Sequence, residues 1–217
     1  MLKTAVEKEL VDRINKRHYT EASEKPSVIS ALTAIRNDDN SMRIIHDGSR
    51  PVGQAMNHCF IPDSVKFQAL ADACKLAKPG YWCAKVDLRS AYGSVCIHPD
   101  KYSVTGLKWT FHNEKEPMYL FDSRLPFGRN VGPSHFHRLS QAIRRYMERR
   151  GMTGVMAYID DFLLTASSKD ECNKMLLSLI RLLRELGFNT SWKKVVGPTQ
   201  RIRFLGWTLA REPAPCP

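Results

Sequence analysis

Apolar residues recur four apart at Leu2, Val6, Leu10 and Ile14 with Lys, Glu and Arg between them, a period that predicts an amphipathic helix over residues 2–17. Tyr19-Thr-Glu-Ala-Ser-Glu-Lys-Pro26 is polar, closes on proline and reads as a connector. Two β-favouring runs, Val28–Ile35 and Met42–Ile45, flank the turn-forming stretch Asn37-Asp-Asp-Asn-Ser41 and predict a hairpin. His46-Asp-Gly-Ser-Arg-Pro51 is turn-rich, with Asp47 placed to order the loop by bonding backbone. Val65, Phe67, Leu70, Cys74 and Ala77 follow Asp63, a candidate N-cap, and predict a helix over about 64–77 that stops before Pro79-Gly80. Tyr102–Phe111 and Pro117–Phe121 predict a strand pair around the polar His112–Glu116. Leu125–Pro133 is a proline- and glycine-dense loop in which backbone can approach a ligand closely. From Ser134 the period is helical again: Phe136, Leu139, Ile143, Tyr146 and Met147 share a face, while Arg138, Arg144, Arg145, Arg149 and Arg150 lie around the remainder until Gly151 and Gly154. Ser168-Lys-Asp-Glu171 has capping-box spacing and opens a packing helix through Leu186, stopped by Gly187. Arg201–Leu209 predicts a final strand, and the proline-rich Arg211–Pro217 a disordered tail.

The candidate chemistry lies in Val155-Met-Ala-Tyr-Ile-Asp-Asp-Phe-Leu-Leu-Thr165, where Asp160 and Asp161 interrupt apolar, pleat-favouring chain and so fall at the tip of a strand–turn–strand unit. An acidic pair on a turn commonly does no more than bond its own backbone. A third carboxylate changes the weight of the observation. The strand ending in Lys85-Val86-Asp87 again delivers one acid from apolar chain, and pairing the two strands would bring Asp87 opposite Asp160. Carboxylates so placed repel unless hard divalent cations lie between them, and Mg²⁺ favours a few carboxylates together with phosphate oxygens and water. That is the chemistry of two-metal phosphoryl transfer.

Four strings in order, Val86-Asp-Leu-Arg-Ser-Ala-Tyr92, Arg124-Leu-Pro-Phe-Gly-Arg-Asn-Val-Gly-Pro-Ser-His-Phe136, Tyr158-Ile-Asp-Asp161 and Phe204-Leu-Gly-Trp-Thr-Leu209, resemble the palm of a reverse transcriptase. Arg43–Asn57 and Ser191–Gly206 resemble the tyrosine-recombinase (DIRS-like) retrotransposons more than retroviruses. The resemblance implies an α+β fold of polymerase fingers and palm, the palm being a split βαβ (ferredoxin-like) antiparallel sheet with helices on one face. Residues 1–19 would form an N-terminal helix, 20–80 and 98–125 the fingers, 81–97 and 126–209 the palm, and 210–217 a disordered tail, with no thumb or RNase H segment.

The same resemblance implies site residues. Asp87, Asp160 and Asp161 would be catalytic, and Asp87, Asp160 and Leu88 would be the metal positions for two Mg²⁺ ions, with Mn²⁺ as a substitute. One ion would acidify the primer 3′-hydroxyl and the other would hold the triphosphate. Arg43, with Arg36 a weaker candidate, and Lys194 would meet the triphosphate. Tyr92 would lie under the sugar and leave no room for a 2′-hydroxyl, and Phe127 and Gly128 would neighbour the nascent base pair. Tyr158, Arg144 and Arg145 would contact nucleic acid. The implied partners are an RNA or DNA template with its primer, dNTPs, and a downstream thumb and RNase H polypeptide. A binding remnant that keeps the fold without polymerising is the competing reading, and an RNA-directed RNA polymerase a second one that Tyr92 and Phe204–Leu209 disfavour.

Composition narrows the field further. The formal net charge of +11 is uneven: residues 1–100 hold 14 basic and 12 acidic side chains, residues 101–217 hold 19 and 10. A basic excess on the segment with the paired acids points to a polyphosphate partner. Six cysteines without Cys-Xaa-Xaa-Cys spacing, several within apolar runs, read as reduced thiols rather than a disulfide or zinc framework. His135 and His137 straddle Phe136 and lack the spacing of a helical ligand pair. No apolar run reaches eighteen residues and the N-terminus is charged, so no membrane is expected and the location reads as intracellular, cytoplasm and nucleus both open.

Overall fold

The computed structural model describes residues 2–36, 42–50, 52–53, 55–59 and 64–210. The expected turn Asn37–Ser41, the N-cap candidate Asp63 and the tail Arg211–Pro217 lie outside the described residues. In chain order the elements are α1 (Leu2–Asn15), β1 (Tyr19–Glu21), β2 (Ala31–Arg36), β3 (Met42–Asp47), α2 (Met56–Cys59), α3 (Leu70–Leu76), β4 (Trp82–Arg89), β5 (Gly106–Trp109), β6 (Met118–Asp122), α4 (Gly132–Arg149), β7 (Val155–Tyr158), β8 (Asp161–Ala166), α5 (Lys169–Glu185), β9 (Asn189–Thr190), β10 (Val196–Thr199), β11 (Arg201–Phe204) and β12 (Trp207–Ala210). They form two compact units, Met1–Asp63 with Tyr92–Pro133 and Ser64–Ala91 with Ser134–Pro217.

In the first unit the apolar stripe of α1 is buried: Val6 and Leu10 pack with Tyr19, Met42, Ile44, Leu107 and Leu120. Its polar side carries the i,i+4 pairs Arg13–Glu9 at 2.8 Å and Lys16–Asp12 at 2.5 Å. Part of the expected connector is a strand instead. Tyr19–Glu21 pairs antiparallel with β6, which in turn pairs with β5, because Tyr19 buries its ring in the core and so fixes the register. The β2–β3 hairpin forms as expected, but β3 runs on through His46 and Asp47, since alternation continues with His46 buried. Asp47 does order the following loop, its Oδ1 accepting from the Ser49 N–H at 3.0 Å.

The second unit is an antiparallel sheet in the order β10-β4-β8-β7, with β9 also on β4. One face presents Cys83, Met156 and Leu163 to Ala73 of α3, to Ala77 just after it and to Ile202 and Phe204 of β11. On the other, Ala84, Val86, Leu88, Phe162 and Leu164 are buried, and α5 packs on β4 and β8. Ser168 caps α5 as its spacing predicts, accepting from the Glu171 N–H at 3.2 Å.

Two expectations fail here. The helix predicted over 64–77 begins only at Leu70, capped by the Asp72 carboxylate on the Ala69 N–H at 2.9 Å. Residues before it serve the sheet and α4: Gln68 Oε1 accepts from the Ala157 N–H at 3.1 Å, and the Phe67 ring lies tilted against His137 with centroids 4.7 Å apart. The final strand is a hairpin, because Leu205 and Gly206 both take positive φ, 48° and 83°, and turn the chain back between Phe204 and Trp207.

Candidate active site

Tyr158 pairs with Asp161 across a two-residue turn made by Ile159 and Asp160. The acids therefore lie at the hairpin tip as expected, but the register differs from the expectation for Asp160. Asp161, the first residue of β8, stands directly opposite Asp87 on β4. Asp160 occupies the turn, where its carbonyl accepts from the Leu88 N–H at 3.1 Å. A two-residue turn consumes Ile159 and Asp160, so the period of the strand passes the facing position to Asp161. Directly opposed side chains on an antiparallel pair have Cβ atoms about 4.5–5.5 Å apart. Leu88 is buried and paired with Thr190, and only its carbonyl oxygen has the chemistry of a metal ligand.

The electrostatics follow from this crowding. Burial pushes the Asp161 carboxyl up to about 6, and the charges of Asp160 and Asp87 push the same way, against a smaller pull from Lys194. Lys194 Nζ lies 3.0 Å from Asp87 Oδ2, and that hydrogen bond holds the ammonium above its ordinary range. The lysine is largely exposed, whereas the Asp87 side chain is only 13% exposed. Among the described residues no three His, Cys, Asp or Glu side chains are gathered as a ready metal cage. The donor set nevertheless fits Mg²⁺ or Mn²⁺ in kind: hard carboxylate oxygens that destabilise one another, with a cation already drawn to one of them.

Helix α4 holds the turn. Ile159 has φ 52°, a left-handed conformation that a β-branched residue rarely adopts. Both of its backbone groups meet buried α4 side chains: the Ser140 hydroxyl donates to the Ile159 carbonyl, and the Ile159 N–H donates to His137 Nδ1 at 3.5 Å. Gln141 Nε2 donates to the Ala157 carbonyl at 3.0 Å. Burial keeps His137 below its ordinary range, which suits an acceptor nitrogen. Sequence reading passed over Ser140, Gln141 and Gln68, because a polar side chain carries no mark of the backbone it will satisfy.

The remaining candidates of this unit lie around the hairpin. The Tyr158 ring is 5.9 Å from Phe67. Arg144 is half-buried and committed to its own helix, with Nε donating to Gln141 Oε1 at 2.6 Å and Nη1 paired with Glu148. Arg145 is exposed.

In the first unit the structure gathers three candidates. The Arg43 guanidinium lies over the Phe127 ring at 5.4 Å, and Phe127 meets Tyr92 edge to face at 4.5 Å. Gly128, with φ +96°, follows: a Cβ there would lie 1.9 Å from the His46 carbonyl oxygen, so no other residue fits. Arg36 pairs with Met42 and Arg43 with Ile35, so the two arginines leave the hairpin on opposite faces. Beneath lies a buried polar cluster that sequence reading missed. Tyr19 Oη is 3.0 Å from His46 Nε2, which is 3.5 Å from Asp122 Oδ2, and Arg129 Nη2 donates to Ser30 Oγ at 3.0 Å and to the Val104 carbonyl at 2.9 Å. Burial pushes Asp122 up to about 7 and His46 down to about 3.

An antiparallel sheet that sets one carboxylate across from an acidic hairpin turn, with helices packed against it, is the architecture of a polymerase palm. Solved structures share the fold across the chain. The foamy viral protease–reverse transcriptase bound to double-stranded DNA matches with a TM-score of 0.80 at 18% identity, over 96% of this chain and 34% of that one. The same protein bound to an RNA/DNA hybrid gives 0.75 at 17%, over 97% and 26%. The family model described as reverse transcriptase (RNA-dependent DNA polymerase) matches residues 35–209, and the chain belongs to that family. The Gag-Pol polyprotein of avian reticuloendotheliosis virus is 25% identical over 129 residues, covering 59% of this chain and 11% of the polyprotein. The enzymatic polyprotein of Cestrum yellow leaf curling virus is 28% identical over 157 residues, covering 72% and 23%. The chain thus spans a minor part of the relatives it matches.

Proposed function

We propose that this chain is the fingers and palm of an RNA-directed DNA polymerase, adding deoxynucleotides to a primer 3′-hydroxyl on an RNA or DNA template. The observation that carries the reading is the opposed pair Asp87 and Asp161 beside the Asp160 turn, in a chain of the reverse transcriptase family. Asp87, Asp160 and Asp161 would hold two divalent ions, together with the Leu88 carbonyl. Held there, divalent ions would supply acidification of the attacking hydroxyl and charge neutralisation on the departing pyrophosphate. The chain's own groups do the rest. Lys194 leaves Asp87 for triphosphate oxygens, Arg43 on β3 is a second phosphate-binding side chain, and Tyr92 closes the space a 2′-hydroxyl would need. Phe127 and Gly128 shape the base-pair side of the pocket, and Arg145 steadies nucleic acid backbone. Arg43–Asn57 and Ser191–Gly206 support a DIRS-like element as the source, and the reading takes with it an intracellular setting and a downstream thumb and RNase H polypeptide as partner. Primer extension on RNA and DNA templates, dNTPs against rNTPs, tests the reading: extension confined to dNTPs and requiring Mg²⁺ or Mn²⁺ is expected, and equal use of rNTPs overturns it.

A further inference from the structure

We infer that Asn57 is a positioning residue for the incoming nucleotide, clamping the 127–130 loop so that Phe127 stays between Tyr92 and Arg43; the inference rests on the polymerase reading of those three residues. Asn57 lies in the single-turn α2 and ties together two segments far from it in sequence. Its Nδ2 donates to the Gly128 carbonyl at 3.1 Å and to Ser49 Oγ at 3.3 Å, and its Oδ1 accepts from the Asn130 N–H at 3.0 Å. Asn130 Nδ2 returns a bond to the Asn57 carbonyl at 3.1 Å, and the Asn57 N–H donates to the Gly48 carbonyl at 2.8 Å. Both amide N–H groups and the amide oxygen are thus engaged, a set that no other side chain of this length supplies.

The glycines show how closely the clamp fits. A Cβ at Gly48 would lie 2.7–2.9 Å from the Asn57 amide, so position 48 must be bare for Asn57 to enter. The loop is docked at a second point, where the His46 N–H donates to the Phe127 carbonyl at 2.9 Å and Gly128 presses on the His46 carbonyl. Without Asn57 the loop keeps the His46 link at Phe127 and the Arg129 side-chain bonds to Ser30 and the Val104 carbonyl; Asn57 adds the ties to the Gly128 carbonyl and the Asn130 N–H. The Phe127 ring, which touches both Tyr92 and Arg43, is held at the hinge between these tethers.

Three variants test this in the full chain. Asn57→Ala removes the side-chain clamp. Asn57→Asp keeps the Oδ1 acceptor and the shape but sets a carboxylate oxygen against the Gly128 carbonyl. Ser49→Ala removes only the weakest link. Hydrogen exchange reads the clamp itself: the Asn130 amide should exchange at least tenfold faster in Asn57→Ala, while the Leu120 amide in β6 does not change. Titration of a fluorescent deoxynucleotide onto the chain with a primer–template reads function: about tenfold weaker binding is expected for both Asn57 variants, as loss of one or two such bonds implies, with KM raised, kcat little changed, and Ser49→Ala close to wild type. Unchanged Asn130 exchange overturns the clamp. Wild-type binding that neither Asn57 substitution weakens overturns the positioning role alone, whereas a wild-type chain that binds no deoxynucleotide overturns it together with the polymerase reading.

Discussion

Replacing Asp122 by Asn should make the protein more stable near neutral pH and leave it unchanged in acid. Asp122 is buried, and its folded-state carboxyl is raised from 3.8 to about 7 by that burial, against the partial relief of the Arg124 N–H and the nearby Arg13 and Arg129. A carboxyl whose pKa is raised by folding favours the folded state only while protonated. Its contribution is whole below pH 4 and is lost as pH climbs through 7. About three pKa units at about 1.4 kcal/mol each give a ceiling of about 4 kcal/mol. Asn keeps the Oδ1 acceptor for the Arg124 N–H, a bond of 2.8 Å here, and places an amide nitrogen towards His46. His46, held down to about 3, titrates with the opposite sign, so the Asp122 contribution must be read as the difference between variant and wild type. Guanidinium unfolding of both proteins at pH 4, 5, 6, 7 and 8 gives that difference directly. It should be near zero at pH 4 and grow to several kcal/mol in favour of Asp122→Asn by pH 8. A pH-independent difference, or a variant less stable than wild type at pH 8, would refute the reasoning.

Further outcomes follow from the site. Tyr92→Ala should raise ribonucleotide incorporation and spare deoxynucleotide use, measured as the ratio of kcat/KM values; equal loss for both sugars would assign Tyr92 to packing. Ser140→Ala strips the Ile159 carbonyl of its partner and should cost about 1–2 kcal/mol in urea unfolding, with faster exchange of amides around the turn. Arg145→Gln should lower the slope of log affinity for duplex against log salt by about 0.9, as one lost phosphate contact does, while Arg144→Gln, whose guanidinium is already held by Gln141 and Glu148, should leave the slope unchanged.

Periodicity located α1, α4 and α5, because each buries an apolar stripe whose repeat survives without tertiary context, and the two hairpins were legible as β-favouring runs on either side of turn-forming residues. Short elements did not announce themselves. Tyr19–Glu21 became a strand through one buried ring, and residues 64–69 left the helix predicted for them because Phe67 and Gln68 had better partners on α4 and the palm hairpin. The acids were legible as a group, but their register was not: whether Asp160 or Asp161 faces Asp87 depends on the length of a turn that composition does not specify. Nor were Asn57, Ser140 and the Tyr19–His46–Asp122 cluster, since their partners are backbone atoms and side chains distant in sequence.

The central claim is that the carboxylates at the hairpin end of the β4–β8 strand pair perform phosphoryl transfer. Single-nucleotide incorporation with Mg²⁺, comparing wild type with Asp87→Asn and Asp160→Asn after unfolding curves establish that both variants fold, tests it most directly. The account predicts measurable dNTP incorporation by the wild-type chain and a fall of at least roughly 10²-fold in each variant, the scale on which loss of charge stabilisation in a transition state is felt. Incorporation that survives either substitution at the wild-type rate would contradict it.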